Sequence, residues 1–469
     1  MTFDFEHADA IATAKAIQTR QVTALETTQA ALNRIDARDK DLNCFTEILA
    51  DSALASAQAV DQAIAVGQSV GPLAGVPFAV KNLLDIEGIT TLAGAKIEQD
   101  SPPATQDATV VARLKAAGAV LVGALNMDEY AYGFVTENSH FGPTLNPHDR
   151  TRVAGGSSGG SAASVSAGLL PITLGSDTNG SIRVPASFCG IFGLKPTYGR
   201  ISRAGAFLFA ASFDHIGPFA RSVRDLATVF DALHGFDSRD PISSPRPVSP
   251  VLPQLDQGLD DLRLAIADDH FDQGMEPVVR SGLEQVTKAL DVRQTVTIPE
   301  AKRARGAAYI ITASEGSNLH LANLKKRAQD FDPATRDRFL AGALIPVTWY
   351  VQAQRFRQWY RDRVLELFQN TDVIIAPTTP CPATSIGQVM MTIDGEEVKA
   401  RPNLGLFTQP LSFIGLPIVS VPIQQPGELP VGVQIIGAPY QEATVLRVAR
   451  VLEKQGVVSA AIANGVKEG

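Results

Sequence analysis

Gly155-Gly156-Ser157-Ser158-Gly159-Gly160-Ser161-Ala162-Ala163 opens the stretch that decides how this 469-residue chain is read. Small residues follow, then Leu169–Gly175, an apolar run of the kind buried on both faces of a sheet. The stretch continues as Ser176-Asp177-Thr178-Asn179-Gly180-Ser181-Ile182-Arg183-Val184-Pro185-Ala186. A Gly/Ser run between polar flanks reads as a flexible tether. Here the flanks are buried-type strand and small-residue helix, so the glycines point to backbone in unusual φ/ψ that another group approaches closely. A phosphate-binding loop would need a lysine after the glycines, and none follows. Gly156-Ser157-Ser158-Gly159-Gly160 does satisfy G-x-S-x-G, which would make Ser158 a nucleophile with His215 or His320 as its base. That pentapeptide arises by chance in Gly/Ser-rich sequence, and neither histidine sits in a prepared context.

Outward from this stretch the chain alternates helix and buried strand. The first seventy residues read as helical, with Thr23 and Glu26 at capping-box spacing and Leu25, Leu32 and Ile35 on one face. Gly75-Val76-Pro77-Phe78-Ala79-Val80-Lys81 reads as a strand ending in a polar turn. Asp107 is expected to cap a helix carrying Val110, Val111 and Leu114, with Gly118 stopping it. Ala119–Leu125, Asp372–Ala376 and Ile418–Val421 repeat the buried-strand pattern. The expected fold class is α/β: a large mixed sheet covered by helices on both faces. Prolines 241, 245, 247, 250 and 253 make residues 238–258 an extended connection. The expected organisation is therefore one domain, 1–469: helical segment 1–70, catalytic core 71–237, connection 238–258, and 259–469 carrying the remaining sheet and the substrate side.

Composition narrows the function classes. Forty-one Lys and Arg against 49 Asp and Glu give a net charge of −8, so no general attraction to nucleic acid or anionic membrane is expected. No stretch reaches the roughly 18 apolar residues of a spanning helix. Met1–Glu6 shows no apolar leader, and Cys44, Cys189 and Cys381 form no C-x-x-C pair; a reducing, cytoplasmic setting is expected. No H-E-x-x-H or paired cysteines suggest a metal. Lys325-Lys326-Arg327 reads as a solvated helix face or a local anion contact.

Residues 155–193, with Gly75–Lys81 upstream, closely resemble the amidase signature family of serine amidohydrolases. The resemblance extends to Asn126-Met127-Asp128-Glu129-Tyr130, Thr136-Glu137-Asn138, Gly193–Gly199 and Ile414-Gly415-Leu416-Pro417, in the family's order. It implies Ser181 as nucleophile, Ser157 as a bridging serine following a cis peptide, and Lys81 as base. Serine is a weak nucleophile until a proton acceptor adjoins it, and a lysine can accept only if burial leaves some amine neutral. The turn Thr178, Asn179, Gly180, Ser181 would offer backbone N–H groups as an oxyanion hole. Asp177 and Arg183 would brace the loops around it. Two departures stand out: Asn179 occupies a position where most relatives have glycine, and Asn82 one where many have aspartate. No cofactor is implied.

Within the family, residues 75–217 resemble the A subunits of glutamyl-tRNA amidotransferases, which hydrolyse glutamine. Ala353-Gln354-Arg355-Phe356-Arg357 is similar to the segment that grips the glutamine carboxylate there, nominating Arg357. No acidic residue precedes Phe407-Thr408-Gln409-Pro410 to hold an α-ammonium, which favours a substrate without one. Arg327 is nominated as a second cation for a second anionic group. Ser314–His320, Phe339–Ala343 and Trp349–Gln354 resemble the 1-carboxybiuret hydrolase branch. That resemblance implies conversion of a small carboxylated amide to urea-1,3-dicarboxylate and ammonia, a small helical accessory subunit, compatibility with a homo-oligomer, and no direct contact with nucleic acid or membrane.

Overall fold

A computed structural model describes residues 3–463. Eleven strands form one mixed sheet: β1 (Phe45–Ile48), β2 (Pro77–Lys81), β3 (Val120–Leu125), β4 (Ile172–Asp177), β5 (Phe192–Lys195), β6 (His215–Ala220), β7 (Leu264–Ala267), β8 (Thr295–Val296), β9 (Val373–Pro377), β10 (Ile418–Ile423) and β11 (Val431–Gly437). Their order is β1-β3-β2-β4-β6-β5-β10-β11-β9-β7-β8. Strands from before and after the proline-rich 238–258 connection thus hydrogen-bond into the same sheet.

The central strands are buried on both faces, and successive side chains go to opposite cores. Phe78 and Val80 of β2 join one apolar cluster with Ile172 and Leu174 of β4, while Ala79 joins another with Val120 and Val122 of β3. Helices Thr109–Ala116, Val223–Leu233 and Glu442–Lys454 supply the first cluster; Ala24–Arg38, Ala50–Ala65 and Gly159–Ser166 supply the second. The expected α/β sheet with helices on both faces is therefore present.

Most local signals hold in the fold. Thr23 and Glu26 form the capping box expected of them. Gly118, at φ +91°, follows the end of Thr109–Ala116, where an added Cβ would meet the backbone of Ala74. Two readings are corrected. Asp107 does not cap that helix: its carboxylate accepts from Glu87 N and pairs with Lys115 at 2.6 Å, and Ala108 occupies the cap position. The first seventy residues are not all helix, because Phe45–Ile48 adds an edge strand antiparallel to β3. Among the described residues, no helix is long and apolar enough to cross a membrane. The three cysteines are all free and buried.

Candidate active site

The site is assembled at the ends of β2 and β4, which run parallel and in register through Val80 and Leu174. That pairing brings Lys81, the last residue of β2, beside Ser176 near the end of β4. Lys81 is fully buried, and its Nζ lies 2.7 Å from Ser157 Oγ and 2.9 Å from Ser176 Oγ. Burial pulls the Lys81 ammonium down to about 7, even though Asp128, Asp214 and Asp177 work to raise it. A lysine so placed is available as neutral amine near neutral pH.

Ser157 follows a cis peptide from Gly156, at the entrance to helix Gly159–Ser166. This loop admits no Cβ at Gly156, which would strike the Asp128 carboxylate and the backbone of Phe134 and Val135. Asp128 in turn accepts from Val135 N at 3.2 Å and Thr136 N at 3.0 Å, and Asp128 N donates to Ser157 O. Asn82, the other departure in the sequence, braces the same end of β2: its side chain donates to Thr46 Oγ1 at 2.7 Å and accepts from Leu92 N at 3.0 Å.

Ser181 lies on the turn after β4. Asp177 holds that turn from below, accepting from Gly180 N at 2.7 Å and Ile182 N at 3.2 Å while pairing with the fully buried Arg183. Burial works to raise the Asp177 carboxyl, but the Arg183 guanidinium outweighs it and holds the group well below the ordinary carboxylate range. Arg183 also donates to Gln434 Oε1 at 2.7 Å, Thr408 O at 3.2 Å and Ser412 Oγ. Thr408 Oγ1 donates to Asn179 O at 2.7 Å, and Thr178 Oγ1 donates to Asp214 at 2.5 Å. Burial raises the Asp214 carboxyl to about 6.

These contacts refine the expected oxyanion hole. The Gly180 N–H is spent on Asp177, so it is withdrawn from the group Thr178, Asn179, Gly180 and Ser181. Among the described residues, Asn179 N and Ser181 N have no protein acceptor, and the Ser181 hydroxyl has no hydrogen bond, Ser157 included. The nucleophile-elbow alternative fails on contact. Ser158 Oγ bonds to the backbone of Ser176, His215 sits between Asp177 O and Lys195 Nζ, and His320 is packed against Tyr130 and Phe339.

Arg357 lies on the wall of a cavity of about 490 Å³ with Tyr198, Gln354, Arg361 and Tyr440. Its guanidinium donates to Phe413 O and Ser212 O, each at 2.7 Å, and covers the Phe213 ring, one residue from Asp214. Arg327 is placed differently. It ends helix Ala301–Arg327 and is occupied by Asp100 at 2.8 Å and Asp330 at 3.0 Å. Among the described residues no hydrogen bond or ion pair links it to Lys81, Ser157, Ser181 or Arg357, so the expectation of a free second cation there is not met. Sequence reasoning gave no role to Ser176, Asp128, Asp214, Thr408, Ser412 or Gln434. Ser176, Asp128 and Thr408 lie inside segments already singled out; the others carry no local pattern.

Among the described residues no group of His, Cys, Asp and Glu is arranged to hold a metal ion.

Comparison with known proteins gives a consistent picture. The sequence model of the family described as Amidase matches residues 26–446. The chain is 50% identical over 444 residues to AtzE, a subunit of the 1-carboxybiuret hydrolase of Pseudomonas sp. (strain ADP), covering 94% of this chain and 97% of that protein. It is 39% identical to the A subunit of the glutamyl-tRNA(Gln) amidotransferase of Chloroflexus aurantiacus, covering 95% and 96%. A solved structure described as a vestigial protein complex revealing the origins of an s-triazine catabolic enzyme superposes with a TM-score of 0.96 at 48% identity, covering 97% of this chain and 100% of that one.

Proposed function

The chain belongs to the amidase signature family of hydrolases, and from that membership we propose that it cleaves a small carboxylated amide, 1-carboxybiuret, to urea-1,3-dicarboxylate and ammonia through Ser181, Ser157 and Lys81. The observation that carries the chemistry is the fully buried Lys81 amine within 2.7 Å of the Ser157 hydroxyl. In its neutral form Lys81 takes the Ser157 proton as Ser157 takes that of Ser181, and the freed Ser181 oxygen attacks the amide carbonyl. The oxygen of the tetrahedral intermediate is met by the turn's unengaged N–H groups, Asn179 and Ser181 among them. The proton then returns along the same path to the departing nitrogen, releasing ammonia and leaving an ester on Ser181. Water, activated by the reverse relay, hydrolyses that ester.

The substrate rests on the likeness to AtzE and on Arg357, a cation on the wall of a cavity that suits a carboxylate. A cytoplasmic setting and a small accessory subunit go with the same likeness. The test is ammonia release by the purified protein from 1-carboxybiuret and from glutamine, with and without a co-expressed small subunit. Turnover of 1-carboxybiuret is expected. Turnover of glutamine alone would move the chain to the amidotransferase reading.

A further inference from the structure

Among the described residues two lysines are fully buried, Lys81 and Lys195, and the reaction above uses only the first. Lys195 ends β5, Asp177 ends β4, and His215 opens β6, the strand that lies between them. His215 pairs with Asp177 in the antiparallel register, and its Nδ1 lies 3.1 Å from Asp177 O. Its other nitrogen, Nε2, lies 3.3 Å from Lys195 Nζ. Lys195 Nζ also donates to Pro196 O at 3.1 Å and to Leu416 O.

A carbonyl oxygen only accepts, so His215 Nδ1 carries the hydrogen that reaches Asp177 O. Burial, reinforced by the Lys195 charge, holds the imidazole well below its ordinary value against the pull of Asp177. Nε2 therefore stays unprotonated and accepts from Lys195. That lysine faces three acceptors, which an ammonium with three N–H groups satisfies and a neutral amine with two does not. Burial and Arg183 draw Lys195 down to about 7, while Asp177 and Glu442 oppose them. The three acceptors side with those two acids and favour the charged form. Lys81 differs in kind: its partners are the hydroxyls of Ser157 and Ser176, which donate as readily as they accept, so it can release its proton.

We infer that Lys195 and His215 are positioning residues for the nucleophile: the Lys195 ammonium holds His215 as the neutral Nδ1–H tautomer, and His215 holds the Asp177 carbonyl. Asp177 carries that constraint onward, because its carboxylate accepts from Gly180 N and Ile182 N, on either side of Ser181. The residue is thus gripped at both ends, by Arg183 at the carboxylate and by His215 at the carbonyl. The inference rests on the assignment of Ser181 above and deepens it.

Three variants test this. His215→Leu and Lys195→Met break the chain, whereas His215→Asn keeps an N–H for Asp177 O. In the first two, kcat for 1-carboxybiuret is expected to fall about tenfold to a hundredfold with KM within about threefold, since misplacing a reacting group costs rate and not ground-state binding. The rate at which a fluorophosphonate labels Ser181, which does not depend on which amide is the substrate, should fall in step. His215→Asn should recover most of both. In Lys195→Met the rise of kcat/KM near pH 7 should persist at a lower plateau, because Lys81 remains the base. Loss of that rise would make Lys195 the titrating group and overturn the inference. Labelling and kcat unchanged within about twofold, beside a lowered melting temperature, would overturn it too, leaving the pair to the scaffold alone. Nitrogen NMR of the unmodified protein gives a reading free of any folding defect: His215 should stay the neutral Nδ1–H tautomer from pH 5 to 9, and an imidazolium or Nε2–H form there would sink the proposal. A protein that the fluorophosphonate does not label at Ser181 would instead remove the functional reading, and the inference with it.

Discussion

Residues 153–197 are buried without interruption, whereas the helices Ala301–Arg327 and Val347–Leu367 turn large apolar side chains outward, with Val347 at 72% and Trp349 at 58% exposure. The first region is polar and enclosed, yet nearly every group in it is bonded. The second forms a groove of about 600 Å³ edged by Arg303, Ile310, Trp349 and Phe356. The difference separates two tasks. Chemistry needs charge held rigidly away from water, where each interaction is stronger and each loss more costly. Recognition of variable substrates and partners can be left to surfaces that neighbouring elements constrain less.

If that division holds, damage should be most severe inside the enclosed region. Ser181→Ala, Ser157→Ala and Lys81→Met are each expected to lower kcat by about 10³-fold or more while the fold survives, as read by ammonia release beside circular dichroism. Full activity in Ser181→Ala would sink the assignment.

Second in size comes the brace beneath the turn. Arg183→Met leaves the Asp177 carboxylate buried and unpaired, which is expected to cost about 3–5 kcal/mol in a denaturant titration. The depressed Asp177 carboxyl also sets a sign in pH. Its stabilisation is present above the unfolded carboxyl value of about 4 and is lost as pH falls toward the folded one. A loss confined to activity, with stability untouched, would show that the pair serves the reaction and not the scaffold.

The Lys81 amine, lowered to about 7, sharpens the same contrast without a mutation. Only its neutral form accepts a proton, so kcat/KM should climb about tenfold per pH unit below 7 and level off above it. A profile flat from pH 5 to 8 would remove lysine as the base.

At the border between the regions, Arg357→Lys keeps the charge but loses the fork that grips Phe413 O and Ser212 O. KM for a carboxylated substrate is expected to rise about tenfold with little change in kcat. A drop in kcat alone would make Arg357 a support for the Ser212–Asp214 loop.

The same division governs what can be read from sequence. Lys81, Ser157 and Ser181 can be nominated from sequence because two of them sit within 25 residues of each other and the third closes a strand with an unmistakable apolar run. Asp177 and Arg183 are legible for the same reason, being six residues apart and bound to each other. The remaining grips on Arg183, from Thr408, Ser412 and Gln434, come from more than 220 residues away, and no spacing within the chain links them to it. Asp214 becomes visible only when antiparallel β6 and β4 place it beside Thr178. The expected Asp107 cap fails because a tertiary partner, Glu87 N, outcompetes the local one. Phe45–Ile48 escapes notice because four residues inside a helical stretch give too short a period to detect.

Arg327 makes the smallest and most pointed case. By sequence it is a second cation for a second anionic group; in the fold it is spent on Asp100 and Asp330 at the last turn of a long helix, where the helix dipole also favours positive charge. Such exposed pairs are screened by solvent and contribute little. Arg327→Ala should therefore leave KM and kcat for a carboxylated substrate within about twofold of the unmodified protein. A tenfold rise in KM, absent for an uncharged amide, would mean that this helix end reaches the bound substrate and that the enclosed and open regions share the work of recognition.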